Sequence, residues 1–177
     1  MIWNKLKKNL KERFADDVKK DVDFFITDYA GSWSMGRGWI TINGTEIVNF
    51  STAESDQIHN GNPWNELTKD NRFAIHAQIE DSKRTPGLLI EKGEFSRGDF
   101  TDCCFQFIDL SIIEAQESNH PIIRMLAVLD RRTGKRKLKE LFEIEQNPLV
   151  KYFLNYRIRK GRTTAANKSF KQLGLDE

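Results

Sequence analysis

The sequence has little sulfur, little histidine and no long apolar run. Two of its 177 residues are cysteine, Cys103 and Cys104. Being adjacent, they build no disulfide framework and lack the two-residue gap of a zinc knuckle. The three histidines, His59, His76 and His120, are scattered and offer no short metal-ligand spacing. No segment approaches the roughly 18 consecutive apolar residues that cross a bilayer. The start, Met1-Ile2-Trp3-Asn4-Lys5-Leu6-Lys7-Lys8, has lysines but no apolar stretch, so no secretory signal is expected. Net charge is also small, with 28 basic and 26 acidic residues giving +2. These shortages exclude membrane, secreted and fibrous classes and point to a soluble, cytoplasmic protein. What is present suffices for a core: 38% hydrophobic residues, including twelve Phe and four Trp.

The small net charge conceals an uneven distribution. Residues 1–51 sum to +1, residues 52–117 to −7, residues 118–130 to zero, residues 131–171 to +10, and the last six to −2. An acidic middle and a basic final third mark a binding surface, or else solvated faces that answer each other.

Pattern changes divide the chain. Trp3, Leu6, Leu10 and Phe14 recur every three or four residues, which predicts an amphipathic helix over 2–18. Three runs rich in β-branched and aromatic residues follow: Val22–Tyr29, Gly38–Ile42 and Thr45–Phe50. The loop Ala30–Arg37 joins the first two. Asn43-Gly44 joins the last two, a strong hairpin signal because both residues accept positive φ. Residues 1–52 are therefore expected to form a helix packed on a three-stranded antiparallel sheet. Residues 53–95 read as an irregular connector. Asn60-Gly61-Asn62-Pro63 breaks any regular element there, and residues 72–83, which alternate but also suit a helix, are read as helix. Ser96 with Asp99, and Ser111 with Glu114, have capping-box spacing and predict two helix starts. Residues 96–162 are expected to be helical and 163–177 a flexible tail.

The helical region holds an internal echo. Pro121–Lys135 and Pro148–Arg162 each begin with proline and approach a glycine, Gly134 or Gly161, at an offset of 27 residues. This predicts two helices opened by proline and closed by glycine, with basic last turns, and Lys135–Glu145 as a helix between them. Asn147 is placed to cap the second copy.

Three blocks, Trp3-Asn4-Lys5-Leu6-Lys7, Gly93-Glu94-Phe95-Ser96-Arg97-Gly98-Asp99-Phe100 and Leu129-Asp130-Arg131-Arg132-Thr133-Gly134-Lys135-Arg136, join the Gly36–Ile40 strand start. Together they resemble an uncharacterised family of small cytoplasmic bacterial proteins over most of residues 1–160. The resemblance implies no catalytic residues. By analogy with other small soluble bacterial proteins, it admits a toxin-immunity role.

The chemistry-bearing residues give no strong constellation. Cys103-Cys104 lies on an apolar stripe and reads as core, although a distant histidine partner would make a nucleophile. Gly134-Lys135 lacks the earlier glycine and following Ser/Thr of a phosphate loop, and Gly134 reads as a helix C-cap. Asp99 and Asp102 share a first turn, where carboxylates serve the helix dipole as well as they would a hydrolase. His120 reads as a helix-entry residue. The basic third is the best candidate surface: Arg131, Arg132, Lys135, Arg136, Arg157, Arg159 and Lys160.

The expectation is thus an α+β protein with no cofactor, no metal and no membrane partner. Its first function is non-enzymatic protein binding. An RNA- or DNA-associated protein using the basic rim is the alternative, and a hydrolase with unrecognised carboxylates the third.

Overall fold

Asn43 (φ 51°) and Gly44 (φ 79°) take the two central positions of a tight turn. This is the mirror-image turn whose twist matches that of paired strands. It joins β2 (Gly36–Ile42) to β3 (Thr45–Ser51), and β1 (Val22–Asp28) completes an antiparallel sheet of order β1-β2-β3. The computed structural model describes residues 2–28, 36–51 and 94–172, with side chains to residue 161. The expectations for residues 30–35, the connector, the helix at 72–83, His59 and His76 lie outside the described residues. Six helices accompany the sheet among the described residues: α1 (Trp3–Arg13), α2 (Arg97–Asp109), α3 (Ile112–Glu117), α4 (Pro121–Leu129), α5 (Lys135–Ile144) and α6 (Pro148–Gln172). The α+β class, with an N-terminal helix, a three-stranded sheet and a mostly helical remainder, is what the patterns predict.

The chain divides into two compact units, residues 21–103 and residues 1–20 with 104–177. In the first, Val22, Phe24, Ile40, Ile42, Val48 and Phe50 are buried on one sheet face, as the two-residue period of strands requires. Phe100, in the first turn of α2, lies on that face. Its ring stacks on Phe50 at 4.6 Å and meets Phe24 edge-on at 5.7 Å. Gly38 makes room for it, because a Cβ there would sit 2.7 Å from Phe100 Cδ1. On the other face Phe25 stacks on Trp39, and the Arg37 guanidinium covers the Trp39 ring while binding both Glu46 oxygens at 2.8 and 2.9 Å.

The Ser96 box positions α2: Ser96 N–H donates to Asp99 Oδ2 at 2.8 Å, and Asp99 N–H donates to Ser96 Oγ at 3.1 Å. The Ser111–Glu114 box opens α3 in the same way.

In the helical unit, α1 buries Leu6 and Leu10 and stops at Arg13, short of the expected residue 18. Phe14 leaves the helix because its backbone pairs with Asp130. Ala15 N–H donates to Leu129 O and Arg131 N–H to Arg13 O, both at 2.9 Å. Residues 13–15 are thereby zipped to the end of α4. Arg13 also caps α2, donating to Ile108 O at 2.7 Å.

The echo survives at its starts and fails at its ends. Pro121 and Pro148 each open a helix, with His120 Nδ1 accepting from Ile122 N–H and Asn147 Oδ1 from Leu149 N–H. Gly134 is no C-cap, however. It has φ −73° and is the N-cap of α5, because α4 already ends at Leu129 with Asp130 as its cap. Gly161 lies inside α6, which runs 25 residues against nine in α4. The basic last turn predicted for α4 is absent too, as Arg131 and Arg132 fall in the turn beyond it. The two segments share a way of starting a helix, not a repeat. Residues 163–172, expected in the tail, continue α6.

Candidate contact surface at the α5–α6 seam

A three-residue link, Glu145–Asn147, folds α6 back along α5. Arg124 of α4 holds it by gripping Glu145 with two bonds, Nε to Oε2 at 2.9 Å and Nη2 to Oε1 at 3.1 Å. Glu145 Oε1 also accepts from the backbone N–H groups of Gln146 and Asn147. Burial pushes the Glu145 carboxyl up, but these bonds and the Arg124 charge outweigh it and hold the group below its ordinary value.

The inward face of α6 is Leu149, Val150, Phe153, Leu154, Arg157 and Gly161, all buried. Leu138 is the buried residue of α5. Contacts along the seam place Lys135 Nζ beside Gly161 O at 3.5 Å and Lys151 Nζ over the Phe142 ring at 5.6 Å. The pairing numbers descend on one helix as they ascend on the other, so the helices are antiparallel. Between these contacts lies a groove of about 440 Å³ lined by Lys139, Phe142, Glu143, Asn155, Ile158 and Arg159. Phe142, Asn155 and Ile158 are half-buried, while Lys139, Glu143 and Arg159 are exposed. The groove therefore has an apolar floor and charges of both signs on its rim. Arg159 stands out in the sequence as part of a basic cluster, but the floor does not. Phe142 and Ile158 look like ordinary core positions until the antiparallel seam brings them together.

The start of α5 adds to this surface. Its first turn holds Lys135, Arg136 and Lys137 with no acidic residue, and Gly134 supplies no side-chain cap. Each cation at this end opposes the helix dipole by roughly 0.3–1 kcal/mol. Glu140 compensates in part, at 3.1 Å from Arg136 and 3.9 Å from Lys137.

The seven predicted basic residues separate. Arg131, Arg132, Lys135, Arg136 and Arg159 are exposed and Lys160 is half-buried, its Nζ 5.9 Å from the Tyr156 ring centre. Arg132 is committed to Asp130, to whose carboxylate it donates from Nε at 3.0 Å and Nη2 at 2.8 Å. Arg157 does not belong to the rim. It is 6% exposed, and its Nη1 donates to Val128 O and to Asp130 O at 2.6 Å. Burial lowers its pKa, with Asp17 and Asp130 opposing that fall. The guanidinium remains a cation and acts as a strut between α6 and the end of α4.

Asp130 and Thr133, both fully buried, complete this polar node. Thr133 Oγ1 donates to Ala127 O at 2.7 Å and accepts from Gln116 Nε2 at 2.8 Å. The late block Leu129–Arg136 thus serves architecture first: Asp130 and Thr133 anchor the turn, and Gly134 begins α5.

The other sequence candidates find structural roles. Cys103 and Cys104 are buried. Burial, then the charges of Asp99 and Asp102, push the Cys103 thiol up to about 12, which leaves a thiol rather than a nucleophilic thiolate at neutral pH. Asp99 is engaged in the Ser96 box, and His120 caps α4. Among the described residues no three His, Cys, Asp or Glu side chains gather as metal ligands, and no helix is long and apolar enough to cross a membrane. No curated protein and no solved structure matches the chain at a significant level. The family model described as the SF0329 protein family matches residues 2–158, nearly the whole chain, and the chain belongs to that family.

Proposed function

We propose that the chain is a non-enzymatic protein-binding module whose contact surface is the α5–α6 seam with the first turn of α5. One observation carries this reading: the seam groove combines the half-buried Phe142 and Ile158 with Lys139, Glu143 and Arg159. Apolar centres with polar rims are the anatomy of protein interfaces. The mixed rim favours a protein over a nucleic acid, because Glu140 and Glu143 sit among the cations and would repel a polyanion. The cationic start of α5 supports the same surface. An acidic group docking there would relieve repulsion that the helix bears when alone.

RNA and DNA binding provide the decisive comparison. Labelled RNA and DNA are titrated at rising salt. The proposed reading expects weak retention that vanishes at modest salt and is unaffected by Ile158→Arg. Tight retention lost in an Arg131→Glu/Arg136→Glu variant would replace it with the nucleic-acid reading. A toxin-immunity role is one form of the protein reading. It expects that co-expression with a toxic neighbouring gene product gives a complex and protection, and a failure of both removes that form.

A further inference from the structure

We infer that the seam groove receives an amphipathic helical segment of a partner protein, with an acidic residue about one turn from an apolar anchor. The inference rests on the protein-binding reading and names the chemistry of the partner.

The seam sets the order of contacts. Along the antiparallel seam, Lys139 of α5 and Ile158 and Arg159 of α6 lie nearer the Lys135–Gly161 end, and Phe142, Glu143 and Asn155 lie nearer the Lys151–Phe142 end. Cations therefore stand at one end, the apolar floor in the middle and a carboxylate beyond. Lys139 and Glu143 are four residues apart on α5, a separation of about 6 Å along the axis, or roughly one helical turn. A helix laid in the seam repeats side chains on one face at the same interval, every three or four residues. Its apolar residue fills the floor between Phe142 and Ile158. An acidic residue one turn away meets Lys139 and Arg159, and a basic or amide group on the other side meets Glu143. Asn155 has both donor and acceptor atoms and suits an amide. Charge complementarity thus selects an acidic end and fixes the direction in which the segment lies. A groove between two packed helices takes a third by the same ridge-and-groove fit that packs them.

A displayed library of random helical peptides tests this. It is selected on the full chain and counted against Ile158→Arg, which blocks the floor, and Lys139→Glu/Arg159→Glu, which reverses the cationic end. All three changes are at exposed or half-buried positions, and far-UV circular dichroism checks that each variant is folded. The expected binders carry Asp or Glu one turn from Leu, Ile, Phe or Trp. They lose roughly tenfold or more in affinity on the double variant, and recover when their own acid is changed to Lys. Binders that need Ile158 but show no acidic enrichment overturn the stated chemistry and leave the protein reading standing. A library without any groove-dependent binder, alongside labelled RNA held through Arg131 and Arg136, overturns both.

Discussion

Arg157 and Arg159 are two residues apart and carry the same charge, yet the structure assigns them opposite roles. Replacing Arg157 with methionine tests that assignment, because methionine keeps much of the apolar stem and removes the guanidinium. The change removes the guanidinium donor from Val128 O and from Asp130 O, which keeps only the Thr133 N–H, and removes the cation whose charge acts on Asp17 and Asp130. A hydrogen bond from a charged donor contributes about 1.5–3 kcal/mol. The cost of desolvating the arginine, visible in its lowered pKa, is recovered in the variant and offsets part of the loss. Two such bonds, less the desolvation recovered, leave an expected net loss of about 3–4 kcal/mol. With a urea slope of about 2 kcal/mol/M, the unfolding midpoint of the helical signal falls by roughly 1.5–2 M. Arg159→Met, at an exposed position, costs about 1 kcal/mol or less. Urea titration followed at 222 nm measures both. An Arg157→Met midpoint within about 0.3 M of the parent would refute the strut, as would equal losses in the two variants.

Gly38→Ala forces a methyl group against Phe100 and is expected to cost the sheet unit about 1–3 kcal/mol, read as a lower midpoint of Trp fluorescence. Cys103 and Cys104 should resist alkylation by iodoacetamide at pH 8 in the native protein and react after urea unfolding. Fast native labelling would contradict their burial and the raised Cys103 pKa. The folded Glu145 carboxyl lies below its ordinary value of 4.5, so its contribution to stability is complete above that pH and is lost as pH falls through the lower folded value. Glu145→Gln should lower the urea midpoint near neutral pH and shrink the further loss on acidification. An acid loss as large as the parent's would show that Glu145 does not carry it.

Local chemistry made most of the architecture legible. Asn43-Gly44, the two capping boxes, Asn147 and the proline starts act over three or four residues, and each appears where its spacing placed it. Contacts between distant segments were not readable. Phe14 ends α1 early because its neighbours Arg13 and Ala15 bond the backbone of Arg131 and Leu129, more than a hundred residues later. Gly134 follows a basic run as a C-cap does, but the turn Asp130–Thr133 is folded by buried side chains, and the glycine begins the next helix instead. The candidate surface was half legible. Composition located the cations, but charge counting treats every arginine as exposed. It could not separate Arg157, on the buried stripe of α6, from Arg159, or see that Phe142 and Ile158 share a groove.

The most direct test of the contact surface places a photo-crosslinking amino acid at Asn155, in the groove, and at Ile113, an exposed residue of α3. Both proteins are irradiated in cells that express the natural partner. A protein contact at the groove gives a discrete adduct from position 155 that is absent from position 113, survives nuclease, is destroyed by protease, and disappears in the Lys139→Glu/Arg159→Glu background. An adduct digested by nuclease, or identical adducts from both positions, would contradict it.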